Sequence, residues 1–342
     1  MNYGAIDLHA QSTWIRLVAP DGTAVLERKI PTTAEALTAV FAAQPSARIL
    51  IESATESEWV AQAIEACGHE VIVASPTYAL MYGHRDRQIK TDRRDVVALA
   101  EACRHGIYRA AHRVSPEQRQ RRRALRVREQ LVRARTQLIN LVRAQLRQEG
   151  YRVPRCASEA MPRRDASLAL PAALQAALAP ALTTIATLTE QIAVSDTALA
   201  TVGAADPVVQ RLRTAPGVGV ITALTYRAVL DDVHRFGNAQ GVAAYVGLVP
   251  REDSSGTRHR QGAITKAGPN PLRALLVQAS WVIWRQRTGR GPLHAWVEAL
   301  AARRGKRIAI VALARRLARI LYAMWRDETD YGTPRATTKA PA

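Results

Sequence analysis

The stretch Tyr3-Gly4-Ala5-Ile6-Asp7-Leu8-His9 is short and apolar, reads as a strand, and carries a carboxylate inside the run. The pattern resumes after a break at residues 13–18, meets the hairpin signal Asp21-Gly22, and returns over 24–30. Thr32 or Thr33 can cap a helix running to about residue 43. Ile49-Leu50-Ile51 is then a continuous apolar run, as a buried strand requires, and it ends at Glu52. A helix over about 56–67 stops at Gly68, and Val71-Ile72-Val73 adds a strand before Pro76. After a basic loop at 84–90, Thr91 can cap a helix from Asp92 to about residue 104.

Three strands followed by alternating helices and strands is the order of a ribonuclease-H-like α/β domain. In that fold the first strand, the fourth strand and a later helix meet at one edge, which would gather Asp7, Glu52, Asp92 and Asp95. Asp92 and Asp95 are three apart at a helix start and share a face. Four mutually repelling carboxylates make sense around Mg²⁺, which takes oxygen ligands; two such ions ~4 Å apart can act on a phosphodiester. Taken singly, each has a plainer reading: Asp92 as helix N-terminal charge, Asp95 as partner of Arg93 or Arg94, Glu52 as a strand-end cap.

The 342 residues are enough for two or three domains, and 48% hydrophobic with 23% charged is an ordinary globular balance. The net charge is +19, from 48 Lys+Arg against 29 Asp+Glu, and only Lys29, Lys90, Lys266, Lys306 and Lys339 are lysines. Such an excess points to a polyanion, nucleic acid before membrane. No signal peptide is expected at the N-terminus, and no stretch is expected to cross a membrane. The foremost candidate, 308–325, is interrupted by Arg315, Arg316 and Arg319. Cys67, Cys103 and Cys156 are odd in number and lack CxxC spacing, so neither disulfides nor zinc is expected, and a reducing cytoplasm suits the chain.

Beyond residue 115 the chain turns helical. Leu125, Val132, Ile139 and Leu146 recur every seven residues, as do Leu178, Ile185, Ile192 and Leu199. Gly150, Pro154, Pro162 and Pro171 separate the two series, giving an antiparallel hairpin or an oligomerising coiled coil. From Arg113 to Arg147 there are 11 arginines against Glu117 and Glu129, too one-sided for pairing along the helix, which favours a phosphate-facing role for Arg119, Arg121, Arg122, Arg123 and Arg126. Pro216-Gly217-Val218-Gly219 precedes an apolar helix and resembles a turn whose Gly217 and Gly219 N–H groups hold a DNA phosphate; such turns also occur for structural reasons alone. Residues 251–268 read as a flexible basic loop, in which Arg258, His259, Arg260 and Lys266 could assist a nucleophilic Ser255, with Ser254 an adjacent rival. Helices follow over about 271–284, 293–302 and 306–325.

These blocks together resemble the insertion-sequence family 110, or DEDD, transposases. The resemblance rests on Ile6-Asp7, Ile51-Glu52-Ser53-Ala54-Thr55, Ser75-Pro76 and Lys90-Thr91-Asp92-Arg93-Arg94-Asp95 at one end. At the other it rests on Pro216-Gly217-Val218-Gly219, Phe236, Tyr245-Val246-Gly247-Leu248-Val249-Pro250, Ser255-Gly256 and Thr265-Lys266-Ala267-Gly268 with Leu272-Arg273. It implies a RuvC-like domain over 1–112, a coiled-coil connector over 113–205, a mainly helical transposase domain over 206–326, and a disordered tail over 327–342. It implies Mg²⁺ held by Asp7, Glu52, Asp92 and Asp95, and Ser255 as the nucleophile that forms a phosphoserine link to DNA. It further implies a noncoding bridge RNA that pairs with donor and target DNA, and composite sites in a homodimer or homotetramer, with Arg273 among the residues holding nucleic acid. Two departures are visible: Glu56 stands where a glycine is frequent in the family, and Ser254 precedes Ser255. The competing readings are a RuvC-like two-metal junction nuclease without a covalent intermediate, and a non-catalytic nucleic-acid binder.

Overall fold

The computed structural model describes residues 1–82, 91–154, 156–161, 170–255, 258–286 and 291–332, the side chains of 253–261 excepted. They belong to two compact units, Met1–Val114 and Ser115–Ala342.

The first unit is built on a five-stranded sheet. β1 (Asn2–Leu8), β2 (Ser12–Val18) and β3 (Ala24–Pro31) form an antiparallel meander; β4 (Ala47–Glu52) and β5 (Glu70–Ala74) continue in parallel from the other side of β1, giving the order β3-β2-β1-β4-β5. β1 and β4 are apolar on both faces because both faces are covered. Ile6, Ile49 and Ile51 pack with Leu37 and Phe41 of α1 (Ala34–Phe41) and Val60 and Ile64 of α2 (Ser57–Glu65). Ala5 and Leu50 pack with Val96, Leu99 and Cys103 of α3 (Asp92–His105). Thr33 caps α1 and Thr91 caps α3, each accepting a backbone N–H in the first turn. The buried His69 ring ties two elements together, accepting from Ala47 N at 3.1 Å and reaching Phe41 O at 2.9 Å.

The second unit opens with two long helices, α4 (Pro116–Gln148) and α5 (Ala172–Ala205). Their register is antiparallel: Arg128 meets Asp196, and seven residues further along α4 Arg135 meets Thr189, seven residues back on α5. The heptad residues Leu125, Ile139, Leu146, Leu178, Ile185, Ile192 and Leu199 are buried. By length and composition α5 could cross a membrane, which corrects the sequence expectation that no stretch qualifies. Of its seven leucines and isoleucines, Leu178, Ile185, Ile192 and Leu199 are buried, and alanines and threonines make up about half of the helix.

The remaining chain folds around α11 (Lys306–Arg326), whose Leu313, Leu317, Leu321 and Tyr322 are buried. Against it lie α6 (Pro207–Arg213), α7 (Val220–Leu230), α8 (Ala239–Tyr245), α9 (Asn270–Arg285) and α10 (Pro292–Arg304). Tyr226 of α7 donates its hydroxyl to Ala318 O at 2.8 Å, so the one polar atom of a fully buried ring is satisfied. The polar stretch expected as a loop is instead a two-stranded antiparallel hairpin, β6 (Pro250–Ser255) and β7 (Arg258–Ile264). Residues 327–332, assigned from sequence to a disordered tail, are described; Tyr331 N donates to Thr214 Oγ1 and its ring packs on the core. Residues 333–342 lie outside the described residues.

Candidate active site

Because β1 and β4 run in parallel, their carboxyl ends finish at the same sheet edge, where α/β folds bind ligands. Ile6 is paired with Ile51, so the next residue on each strand, Asp7 and Glu52, stand beside one another. The start of α3 contributes Asp92 and Asp95, where the exposed N–H groups of a first turn favour carboxylates. Asp95 is buried, and the Asp7 side chain is 13% exposed.

The charges of this edge act on Asp7. Burial raises its carboxyl above the usual value; His9 opposes the shift, and Asp92, Asp95 and Glu52 each reinforce it. His9 Nε2 lies 3.4 Å from Asp7 Oδ2 and 3.5 Å from Asp92 Oδ1. A largely buried carboxylate whose ionisation is opposed by three others is relieved by a divalent cation, and oxygen donors are what Mg²⁺ takes. The donor set therefore fits such an ion.

The second constellation is the β6–β7 hairpin. Ser255 pairs with Arg258 and Ser254 with His259, so both serines stand at the tip end of β6. The side chains of Ser254, Ser255, Arg258 and Arg260 lie outside the described residues. The base of the hairpin is well defined. Gly247 (φ 73°) and Gly268 (φ 74°) bring two chain segments into contact: a Cβ at Gly247 would stand 2.1 Å from Ala267 O, and one at Gly268 2.0 Å from Tyr245 O. Arg273, 9% exposed, braces the same crossing by donating to Val246 O (2.9 Å), Ala267 O (3.1 Å) and Asn270 Oδ1 (3.0 Å). The Tyr-Val-Gly-Leu and Thr-Lys-Ala-Gly blocks are thus the two halves of a clasp under the serine strand.

The basic residues divide by role. Arg121 pairs with Glu117 and Asp206, and Arg122 donates to Ala228 O and Val229 O, both at 2.8 Å. Arg119 is half-buried, whereas Arg123, Arg126 and Lys266 are exposed. Arg122, Arg126, Arg128 and Arg133 line a groove of about 600 Å³ between α4, α7 and the start of α9. Gly217 is demanded by packing, since its Cβ would stand 2.6 Å from Ala279 O at φ 73°; Gly219 caps α7 in open space. Sequence reasoning passed over His9, and also Arg143, Arg147 and Arg152, which line a concavity of about 750 Å³ at the end of α4. A histidine two residues after a strand carboxylate was the signal for the first. Arginines on both sides of Gly150 were the signal for the second.

Comparison with known proteins gives two family matches along the chain. Residues 5–150 match a family profile described as a transposase, and residues 209–292 match the transposase IS116/IS110/IS902 family. The transposase for insertion sequence element IS1328 of Yersinia enterocolitica is 31% identical over 95% of this chain and 97% of its own length. The transposase for insertion sequence element IS1111A of Coxiella burnetii is 34% identical over 71% of this chain and 68% of its own.

Proposed function

Because the chain belongs to the IS110 family of insertion-sequence transposases, enzymes that cleave and recombine DNA, we propose that it moves its element by serine-mediated strand transfer. The observation that carries this reading is the meeting of Asp7 and Glu52 at one sheet edge with Asp92 and Asp95, the last three all opposing the ionisation of Asp7. The strand order β3-β2-β1-β4-β5 supports a RuvC-like assignment for residues 1–112, with 113–205 as connector and 206–326 as transposase domain.

In this reading Asp7, Glu52, Asp92 and Asp95 hold Mg²⁺. The bound metal supplies positive charge against the phosphodiester oxygens during displacement. Ser255 Oγ attacks a DNA phosphorus and loses its proton; the P–O bond to the 3′ oxygen breaks, and that oxygen takes up a proton as a free 3′-hydroxyl. A phosphodiester is exchanged for a phosphoserine ester, so no water enters. A 3′-hydroxyl of another strand then reverses the step and rejoins DNA. The clasp of Gly247, Gly268 and Arg273 fixes the base of the serine strand, which matters because misplacing a nucleophile by ~1 Å can cost ~10²-fold in rate.

Arg119, Arg123, Arg126, Arg258, Arg260 and Lys266 face nucleic acid in this reading; Arg121, Arg122 and Arg273 support the surface from beneath, as Gly217 and Gly219 shape its turn. The polyanions are donor and target DNA and a noncoding bridge RNA whose pairing selects the sequences, acting in the bacterial cytoplasm on a homodimer or homotetramer. The +19 charge supports the polyanion, since phosphate contacts dominate affinity for nucleic acid. Incubating the full chain with its flanking RNA, labelled donor and target DNA and Mg²⁺ tests the reading: recombinant product requires Asp7 and Ser255. Hydrolytic cleavage indifferent to Ser255→Ala would instead identify a two-metal junction nuclease.

A further inference from the structure

The four carboxylates are not the whole donor set of the acidic edge. His9 Nε2, Asp7 Oδ2 and Asp92 Oδ1 form a triangle with two sides of 3.4 and 3.5 Å and a third within 4.8 Å. A circle through three points so spaced has a radius of at most about 2.4 Å, against metal–donor distances of ~2.0–2.6 Å for divalent cations. One ion at the centre therefore reaches all three atoms with shifts of a few tenths of an ångström.

The backbone of His9 is held for this. Thr32 Oγ1 donates to His9 O at 2.7 Å and is itself 2.7 Å from Thr13 Oγ1, so β2 and the end of β3 fix where β1 releases His9. These bonds fix the backbone from which the His9 side chain departs.

The structure assigns His9 as a nitrogen ligand that completes one metal position with Asp7 and Asp92. This assignment rests on the metal-dependent reading above and extends it, because an imidazole changes what the position prefers. Mg²⁺ takes oxygen donors and releases its water reluctantly; Mn²⁺ also suits oxygen donors but stands higher in nitrogen affinity than Mg²⁺ and tolerates one imidazole among carboxylates. The edge then favours Mn²⁺ over Mg²⁺ at the position shared by Asp7, His9 and Asp92.

The alternative role for His9 is a counter-cation that neutralises Asp7 and Asp92 until a metal displaces it. The two roles move metal affinity in opposite directions. As a ligand, His9 removed by His9→Ala weakens Mn²⁺ binding, by about tenfold, and weakens Mg²⁺ binding less. As a counter-cation its removal tightens both.

The test is Mn²⁺ titration of the full chain without nucleic acid, read by electron spin-echo modulation for coupling to an imidazole nitrogen. Wild type is expected to bind Mn²⁺ with that coupling, and His9→Ala to lose the coupling while retaining weaker binding. Coupling that persists in His9→Ala, binding that tightens, or Mn²⁺ held without nitrogen coupling but lost in Asp92→Asn overturns the assignment alone. Failure of wild type to bind any Mn²⁺ or Mg²⁺ at this edge overturns the metal reading with it.

Discussion

Asp7 sits where the demands of folding and of the acidic edge conflict. Burial and three neighbouring carboxylates raise its pKa, so its ionised form opposes folding. The associated stability is complete below the ordinary carboxyl value of 3.8 and is lost as pH rises through the raised value. Metal-free Asp7→Asn is therefore expected to melt above wild type at pH 7, with the gap closing as pH falls through the raised value and gone below 3.8, while recombination is abolished. A calorimetric pH series checks this, and saturating Mg²⁺ should raise the wild-type melting temperature more than the variant's. Arg273 presents the opposite case, a buried cation fully used by two carbonyls and Asn270. Arg273→Met is expected to cost about 2–4 kcal/mol in urea unfolding, because the carbonyls of Val246 and Ala267 lose their donor. Asp7 was legible because a charge inside an apolar strand needs a reason. His9 was not, since an exposed histidine beyond a strand end carries no such tension, and Arg273, expected from the family resemblance to hold nucleic acid, is instead buried against the backbone of the clasp.

The α4–α5 pair was readable as two heptad series because leucine and isoleucine at seven-residue spacing have one physical use in long helices. Ile185 is fully buried at the middle of that seam, and Ile185→Ala is expected to cost about 2–5 kcal/mol by denaturant unfolding, whereas the exposed Val194→Ala should change stability by less than about 0.5 kcal/mol. The β6–β7 hairpin was hidden for an equally physical reason: Arg251-Glu252-Asp253-Ser254-Ser255 has no apolar alternation, so nothing in the strand itself announces period two. Its shape is imposed from its base. Gly247→Ala must move Ala267 O by more than half an ångström at a backbone angle that alanine resists, and is expected to destabilise the second unit by about 1–3 kcal/mol. A variant that folds at reduced temperature yet recombines poorly would report on the clasp itself.

Across the whole molecule, the arginine excess was plain from composition, but its distribution was not. Charge counting along α4 treats its ten arginines alike, while folding commits Arg121 and Arg122 to Asp206 and to the end of α7 and leaves Arg123 and Arg126 in solvent. Reversing Arg123 and Arg126 to glutamate is expected to weaken binding of RNA and DNA and to flatten the dependence of log affinity on log salt by about one for each phosphate no longer neutralised. An unchanged slope would place phosphate elsewhere. The central claim joins the acidic edge of the first unit and the serine strand of the second in one reaction. The most direct measurement is denaturing electrophoresis of the full chain after incubation with flanking RNA, end-labelled donor and target DNA and Mg²⁺. A protein–DNA band absent from both Ser255→Ala and Asp7→Ala is the expected result. Cleaved DNA with no protein-linked band, formed equally well by Ser255→Ala, would contradict the account.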